Sequence, residues 1–443
     1  MRTKGLYSDL LLFVFFVVIL AGYAVCQELI YVGYAVLCIW ALLGAKQAIQ
    51  ALSLNYIFLL LNPALYSPPP EALGILRWVI LLVATLRIIP LLSMRMLRCL
   101  LPLSLFFLMV TALAWMSSPS FELSFLKIAI FTLFAATVLI AFDSLDEERL
   151  MELKVWFFAL MIVVVVLSLP TLFMPKVGFN LNGRGFQGIF IHPQAFGIFL
   201  VPPAAYQAAS LLFKKECNCV GLWFSAAVTI ILIFLSGART GMLAFLFSLA
   251  ATWVIAIVSS RKGNFELKPF RSFVKIGVVA AALVSLIAVS PAFSDTMAKF
   301  WIKGGVNSFY LTRGKGIVSQ WNHFLQHPLT GNGFGIDVGH ENFKNPSTFL
   351  SVPVSAAGEK GFLPVAFLEE VGIVGLLSFA LFFLVMFRGV FNARDIGLIG
   401  VFFACLLVNI GEDVFFSPGY IGGYMWLLIG LSTAKGWQSR DGL

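Results

Sequence analysis

The chain has 443 residues, 60% of them hydrophobic and 12% charged, with 30 basic against 21 acidic side chains and a net charge of +9. Its mean hydropathy is +0.96, and average soluble chains carry about twice this share of charged residues. These values exclude a soluble enzyme, a disordered chain and a disulfide-stapled secreted module, and they leave an integral membrane protein made mainly of helices.

Apolar runs of about 17–25 residues can cross the hydrocarbon of a bilayer. They fall near 8–25, 29–45, 48–66, 72–92, 99–117, 121–142, 153–173, 194–213, 219–236, 240–258, 275–291, 366–387, 396–411 and 420–434. No small-residue cleavage site follows the first, so it is expected to be an uncleaved helix. The expected fold is all-α and polytopic, with fourteen crossings, or twelve to thirteen if weak segments are re-entrant. About eleven helices belong to 1–291, a large outer loop covers 292–365, and about three helices belong to 366–443.

Loops rich in Lys and Arg stay on the cytoplasmic side. With the N-terminus inside, 18 of the 30 basic residues face the cytoplasm, while short outer loops keep only Lys176, Arg184 and Arg239. Both termini are therefore expected inside. The positive charge reflects topology, and no nucleic-acid partner is implied. Six cysteines are scattered along the chain, and Cys217 and Cys219 have no matching pair for a zinc site.

Within the long loop, Ile317, Val318, Trp321, Phe324 and Leu325 recur at helical spacing among polar residues. An amphipathic helix lying on the outer face of the membrane domain is expected. The turn HPLTGNGFG follows, and the rest of the loop to Pro364 has little periodicity. A connector of this length is usually functional.

Two arginines stand where the chain enters the membrane from outside. Arg184 lies in NGRGFQGIFIHPQAFG and Arg239 in FLSGARTGMLAF, each glycine-flanked beside a helix N-terminus. Such a terminus carries unpaired N–H groups and partial positive charge, and so attracts anions. Two of these corners at one depth can clamp a diphosphate, because the guanidinium fork matches phosphate oxygens. The competing assignment is a pair of interfacial anchors or carbonyl caps. Arg77 and Lys127 lie one to two turns inside spans and can join the patch or snorkel to the interface, and Arg87 fits an anchor at the inner end. All four histidines, His192, His323, His327 and His340, fall outside. His192 adjoins the Arg184 segment and suits a phosphate or sugar contact, while His323 and His327 suit surface positions, with no HExxH pattern. GNGFG suits a turn. Glu359, Glu369, Glu370, Glu412 and Asp413 are acids near the outer surface, where a carboxylate can serve as a base. For Glu369 and Glu370 the alternative is a first-turn position in a helix, favoured by the macrodipole.

In order and spacing these pieces resemble the bacterial O-antigen ligase/polymerase superfamily of membrane glycosyltransferases. The matching residues are Arg184, Gly188, His192, Pro193 and Gln194, then Ser236 to Gly241, then Arg313, Trp321, Pro328 and GNGFG, and finally FLPVAFLEEVGIVG from Phe362 to Gly375. The resemblance implies glycan transfer from a polyprenyl-diphosphate carrier at the periplasmic face of the inner membrane, without nucleotide sugar, metal or other cofactor. It implies that Arg184 and Arg239 contact the diphosphate and gives Glu370 a role. The family's His-Asn about nine residues before that Glu is replaced here by Gly361-Phe362, preceded by Glu359-Lys360. The expected base is therefore Glu359, Glu370 or His340, and the expected diphosphate ligands are Arg184, Arg239, His192, Arg313 and Lys360. Expected partners are the lipid-linked glycan, an acceptor glycan or glycolipid, the bilayer and a polysaccharide chain-length regulator. Polymerisation of O-antigen or exopolysaccharide units is the first expectation. Ligation to a lipid A-core or protein acceptor is the second, and a lipid-linked oligosaccharide flippase the third.

Overall fold

The computed structural model describes residues 2–66, 73–179, 185–213, 219–260, 314–336, 338, 347–349, 352–355, 360–392 and 395–438. The described helices are α1 (Arg2–Tyr23), α2 (Leu29–Leu42), α3 (Ala45–Leu59), α4 (Leu73–Ile88), α5 (Met94–Ser117), α6 (Phe121–Asp143), α7 (Glu147–Ser168), the single turn α8 (Pro175–Gly178), α9 (Pro193–Phe213), α10 (Val220–Ser236), α11 (Arg239–Ser260), α12 (Lys315–Gln326), α13 (Leu363–Asn392), α14 (Ile396–Leu407) and α15 (Ile421–Gln438). Each expected span coincides with one of them except 275–291, which lies outside the described residues. Six segments among the described residues are long and apolar enough to cross a membrane, and five shorter helices are apolar as well. The chain is an all-α polytopic membrane protein.

Helix starts follow local chemistry. Ser93 Oγ accepts from Met96 N at 3.0 Å, Asp146 Oδ1 from Arg149 N at 2.8 Å, and Asp395 Oδ1 from Gly397 N at 3.1 Å. Each such cap satisfies an amide that the helix cannot. Two helices are wrapped by protein. α3 buries 13 of its 15 residues, so it tolerates Gln50, Ser53 and Asn55 where a lipid-facing helix would not. α9 buries 17 of its 21 residues. Its Ala205 and Ala209 face Gly400 of α14 at van der Waals range, the close backbone approach that drives helix association in lipid.

Charges sort to two ends. At one end Lys46 pairs with Asp9 at 2.9 Å and Glu152 at 2.6 Å, Arg95 with Asp143, and Lys154 with Asp395 at 3.2 Å. Arg87 Nε at that end donates to the Leu42 carbonyl at 3.0 Å, capping α2 while remaining exposed. The other end holds the starts of α6, α9, α11, α13 and α15, with α12 beside α13. It is called the site end below.

α12 forms where the spacing predicts it, but its apolar stripe points away from the protein. Gln320 and Phe324 are buried, whereas Val318, Trp321 and Leu325 are exposed. With Leu329, also exposed, they make an apolar ridge beside the membrane-crossing helices, as suits a helix resting on lipid. Trp321 fluorescence, isolated by difference against Trp321→Phe, is expected to be quenched by lipids brominated near the headgroup. Equal quenching of the two proteins would remove the ridge from the bilayer. The loop also contains an antiparallel ribbon, β1 (Ser347–Phe349) with β2 (Val352–Ser355), in register Phe349 to Val352. The sequence showed no periodicity there.

Candidate functional site

Two adjoining groups of polar residues occupy the site end. The first begins where α9 and α11 start. The residue before Pro193 is His192, and its ring Nδ1 accepts from Gln194 N at 3.0 Å, so the histidine caps α9. In a neutral ring this leaves the proton on Nε2, a donor suited to an anion. The segment before it is pinned from two sides. Asn62, fully buried, donates to the Gly188 and Val177 carbonyls at 3.0 Å each, and Asn62 N donates to Ile189 O at 2.7 Å. Phe186 N donates to Leu235 O at 2.9 Å, and Gly185 lies so close to Ser236 that a Cβ would not fit. Gly197, one turn into α9, packs against Ser236 and Ala238. The residue following Arg184 is thus held against the residues that lead into Arg239. The positive ends of two long helices lie side by side there, and their partial charges add.

Arg184, Arg313, His340 and Glu359 lie outside the described residues. Arg239 is half-buried at the first position of α11.

The second group lies where α13 begins. Glu369 and Glu370 are not in a first turn, as the sequence suggested. α13 starts at Leu363 and breaks at Gly372, whose φ of 62° and ψ of −172° are not helical. The acids therefore stand at the C-terminal end of a short half-helix, where the macrodipole opposes them. Their compensation comes from elsewhere. Lys360 Nζ lies 3.1 Å from Glu369 Oε2 and 2.9 Å from Glu370 Oε1, and donates to Ile336 O at 2.6 Å. Burial alone would push the Lys360 ammonium down, but Glu370 and Glu369 outweigh it and hold the group well above its ordinary value. With three acceptors around three protons, Lys360 has none to give a phosphate, which corrects its expected role as a diphosphate ligand.

Glu370 is equally occupied. Its other oxygen accepts from Gly335 N at 2.8 Å, and the residue is 6% exposed. A carboxylate so paired is a positioning group, and the base is better sought elsewhere. His323 is not a free surface residue either, since its Nδ1 lies 2.8 Å from Glu369 Oε1. Lys127, rather than snorkelling, donates from Nζ to Gly335 O at 2.5 Å.

GNGFG is a turn, with φ of 69°, 104° and 69° at Gly331, Gly333 and Gly335. It does more than reverse the chain. Asn332 N and Gly333 N donate to the carbonyls of Glu369 and Glu370 at 2.8 and 2.9 Å, while Ile373 N and Val374 N donate to those of Pro328 and Leu329. The groups freed by the break are thereby all paired. Phe334 plugs this clasp into an aromatic core, 5.4 Å from Phe416 and 6.0 Å from Phe131.

The loop between α14 and α15 joins the two groups. Gly411 packs against Thr240, next to Arg239. Gln194 Nε2 donates to Glu412. Asp413, the next residue, is half-buried. Burial lifts its carboxyl to about 7, with Glu370 adding to the rise and Lys360 and Lys127 opposing it. Asp413 thus lies within electrostatic reach of the Lys360 network, one residue from a partner of the α9 start. The sequence marked it only as one acid among several. Asn62 was missed, although an Asn-Pro closing a long apolar run was a usable signal.

Among the described residues no group of three His, Cys, Asp or Glu side chains is placed to hold a metal ion. A cavity of about 300 Å³ lined by Lys154, Phe158, Tyr206 and Tyr424 lies away from both groups.

These features define a polytopic membrane protein with a polar, charge-dense site at one end of its helices. No family model and no curated protein matches the chain.

Proposed function

We propose that this protein is a membrane glycosyltransferase of the O-antigen ligase/polymerase kind, moving a glycan from a polyprenyl-diphosphate carrier to an acceptor sugar. The observation that carries the proposal is the docking of the Gly185–Phe186 segment against Leu235–Ser236, which brings the Arg184 motif to the start of α11. The diphosphate binds there, on Arg184, Arg239 and the Nε2 proton of His192. Asp413 takes the proton from the acceptor hydroxyl. That oxygen attacks the anomeric carbon, and the bond from this carbon to the diphosphate oxygen breaks, its electron pair leaving with the diphosphate. Fixed positive charge at the leaving group is the kind of term that usually dominates such a barrier. The site end faces the periplasm of a bacterial inner membrane, because the opposite end carries the excess of Lys and Arg. Polymerisation of lipid-linked repeat units is favoured over ligation, since the histidine usual in the superfamily is replaced by Gly361-Phe362.

The test is transfer by the purified chain in nanodiscs, given a short glycan on polyprenyl diphosphate. A ladder of longer lipid-linked glycans is expected, falling about 10²–10³-fold in Arg239→Gln, the usual scale for losing one charge-stabilising donor. A normally folded Arg239→Gln with undiminished transfer sinks the assignment. The flippase reading gains one specific observation, a helix broken at Gly372 beside buried charges, a feature of transporters. Glycan crossing the bilayer with no product formed favours it.

A further inference from the structure

Arg77 lies four residues into α4, roughly 6 Å from its start. Its side chain does not reach out to the interface. The guanidinium stands 4.7 Å from the Trp78 ring centre and 5.7 Å from that of Tyr420, and Nη1 reaches the Gly419 carbonyl at a long 3.4 Å. Among the described residues no carboxylate pairs with it. Its Nε is buried without a hydrogen-bond partner, and so is the hydroxyl of Tyr34, a residue 1% exposed. The Arg77 charge acts on both Tyr34 and Tyr56.

Two buried donors without acceptors and one uncompensated cation are a costly arrangement. Each unsatisfied donor costs about 1–3 kcal/mol, and native proteins keep few of them. What is missing is an acceptor from outside the chain, and the charge requires it to be an anion. A phosphate oxygen meets both conditions, because a guanidinium binds phosphate in a fork.

We infer that Arg77 and Tyr34, flanked by Trp78 and Tyr420, form a second phosphate-binding site, which takes the diphosphate of a lipid carrier bearing the acceptor glycan. The inference rests on the proposed transfer reaction for the identity of the lipid. Its location follows from the chain. Gly419 and Tyr420 end the loop that contains Glu412 and Asp413. Six residues separate Asp413 from Gly419, so the two lie at most about 20 Å apart. A polymerase has two diphosphate-linked substrates to hold at one membrane surface. A ligase acting on a finished core sugar has one.

The experiment is equilibrium binding of radiolabelled, glycan-free polyprenyl diphosphate to the full chain in phosphatidylcholine nanodiscs, with melting temperatures as the folding control. The wild-type protein is expected to bind two equivalents. Arg77→Gln and Arg239→Gln should each bind one, at different sites. Tyr34→Phe, which removes only the hydroxyl, should weaken the Arg77 equivalent about tenfold. Two equivalents of unchanged affinity in both Arg77→Gln and Tyr34→Phe overturn the site. A single wild-type equivalent lost in Arg239→Gln also overturns it and leaves the transfer proposal standing. A single equivalent lost only in Arg77→Gln supports this site and displaces the donor site. No wild-type binding overturns the inference. Displacement of the Arg77 equivalent by phosphatidylglycerol identifies an ordinary phospholipid headgroup and overturns the assignment to the carrier.

Discussion

Lys360→Met is expected to be the most destabilising single change at the site, by about 3–5 kcal/mol, the usual cost of removing one partner from a buried ion network. The wild-type ammonium is 3% exposed and lies between Glu369 and Glu370. Without it two carboxylates face each other across a desolvated gap, at the end of a half-helix whose dipole opposes them. The sign of the pH dependence follows. Acidification neutralises the pair, so the variant recovers stability as pH falls and loses it again as pH rises. A triple variant, Lys360→Met with Glu369→Gln and Glu370→Gln, should regain most of the loss, because it removes the charges with their partner. Thermal unfolding in nanodiscs between pH 4 and 8 measures all of this. A Lys360→Met protein as stable as wild type across that range would mean that the network is open to water.

Asp413→Asn is expected to lower transfer about 10²–10⁴-fold, the range for losing a general base, with the protein still folded. Wild-type activity should rise with pH through about 7, where the Asp413 carboxyl ionises, and the variant should lose that limb. Stability should move the other way. The folded-state pKa is raised above the unfolded 3.8, so the stability due to the bound proton is complete below about 4 and lost as pH rises to 7. Asn cannot ionise, and Asp413→Asn should therefore gain more in melting temperature at pH 8 than at pH 4. Unaltered activity with an unaltered pH profile would remove Asp413 from the mechanism.

The membrane helices were legible because a stretch that crosses lipid must be apolar over some twenty residues, whatever its neighbours do. α3 was legible too, since its three buried polar residues are too few to interrupt the run. The turn chemistry of GNGFG was equally plain, its glycines taking the backbone angles that other residues avoid. What could not be read was how charges pair across the fold. Lys360 looked available to a phosphate because no acid lies at helical spacing from it. Its partners come nine and ten residues later, across the entry to α13. The helix break is hidden for a similar reason. Glu-Glu-Val-Gly suits a continuous helix until the carbonyls of the two acids find the amides of Asn332 and Gly333. His192 was legible in part. A residue before a helix-starting proline is a cap position, and that signal went unused beside the motif.

α12 has one further consequence. Its outer side carries Val318, Trp321 and Leu325, and its inner side supplies His323 to Glu369 and Gln320 to the Lys360 carbonyl. The same twelve-residue cylinder therefore borders the apolar surroundings and braces the ions. Its height is set by whatever wets the outer ridge. Solubilisation is then not a neutral step for this protein. Detergents of different chain length, or bilayers of different thickness, are expected to retune the proton affinity of Asp413 through a helix that never touches it.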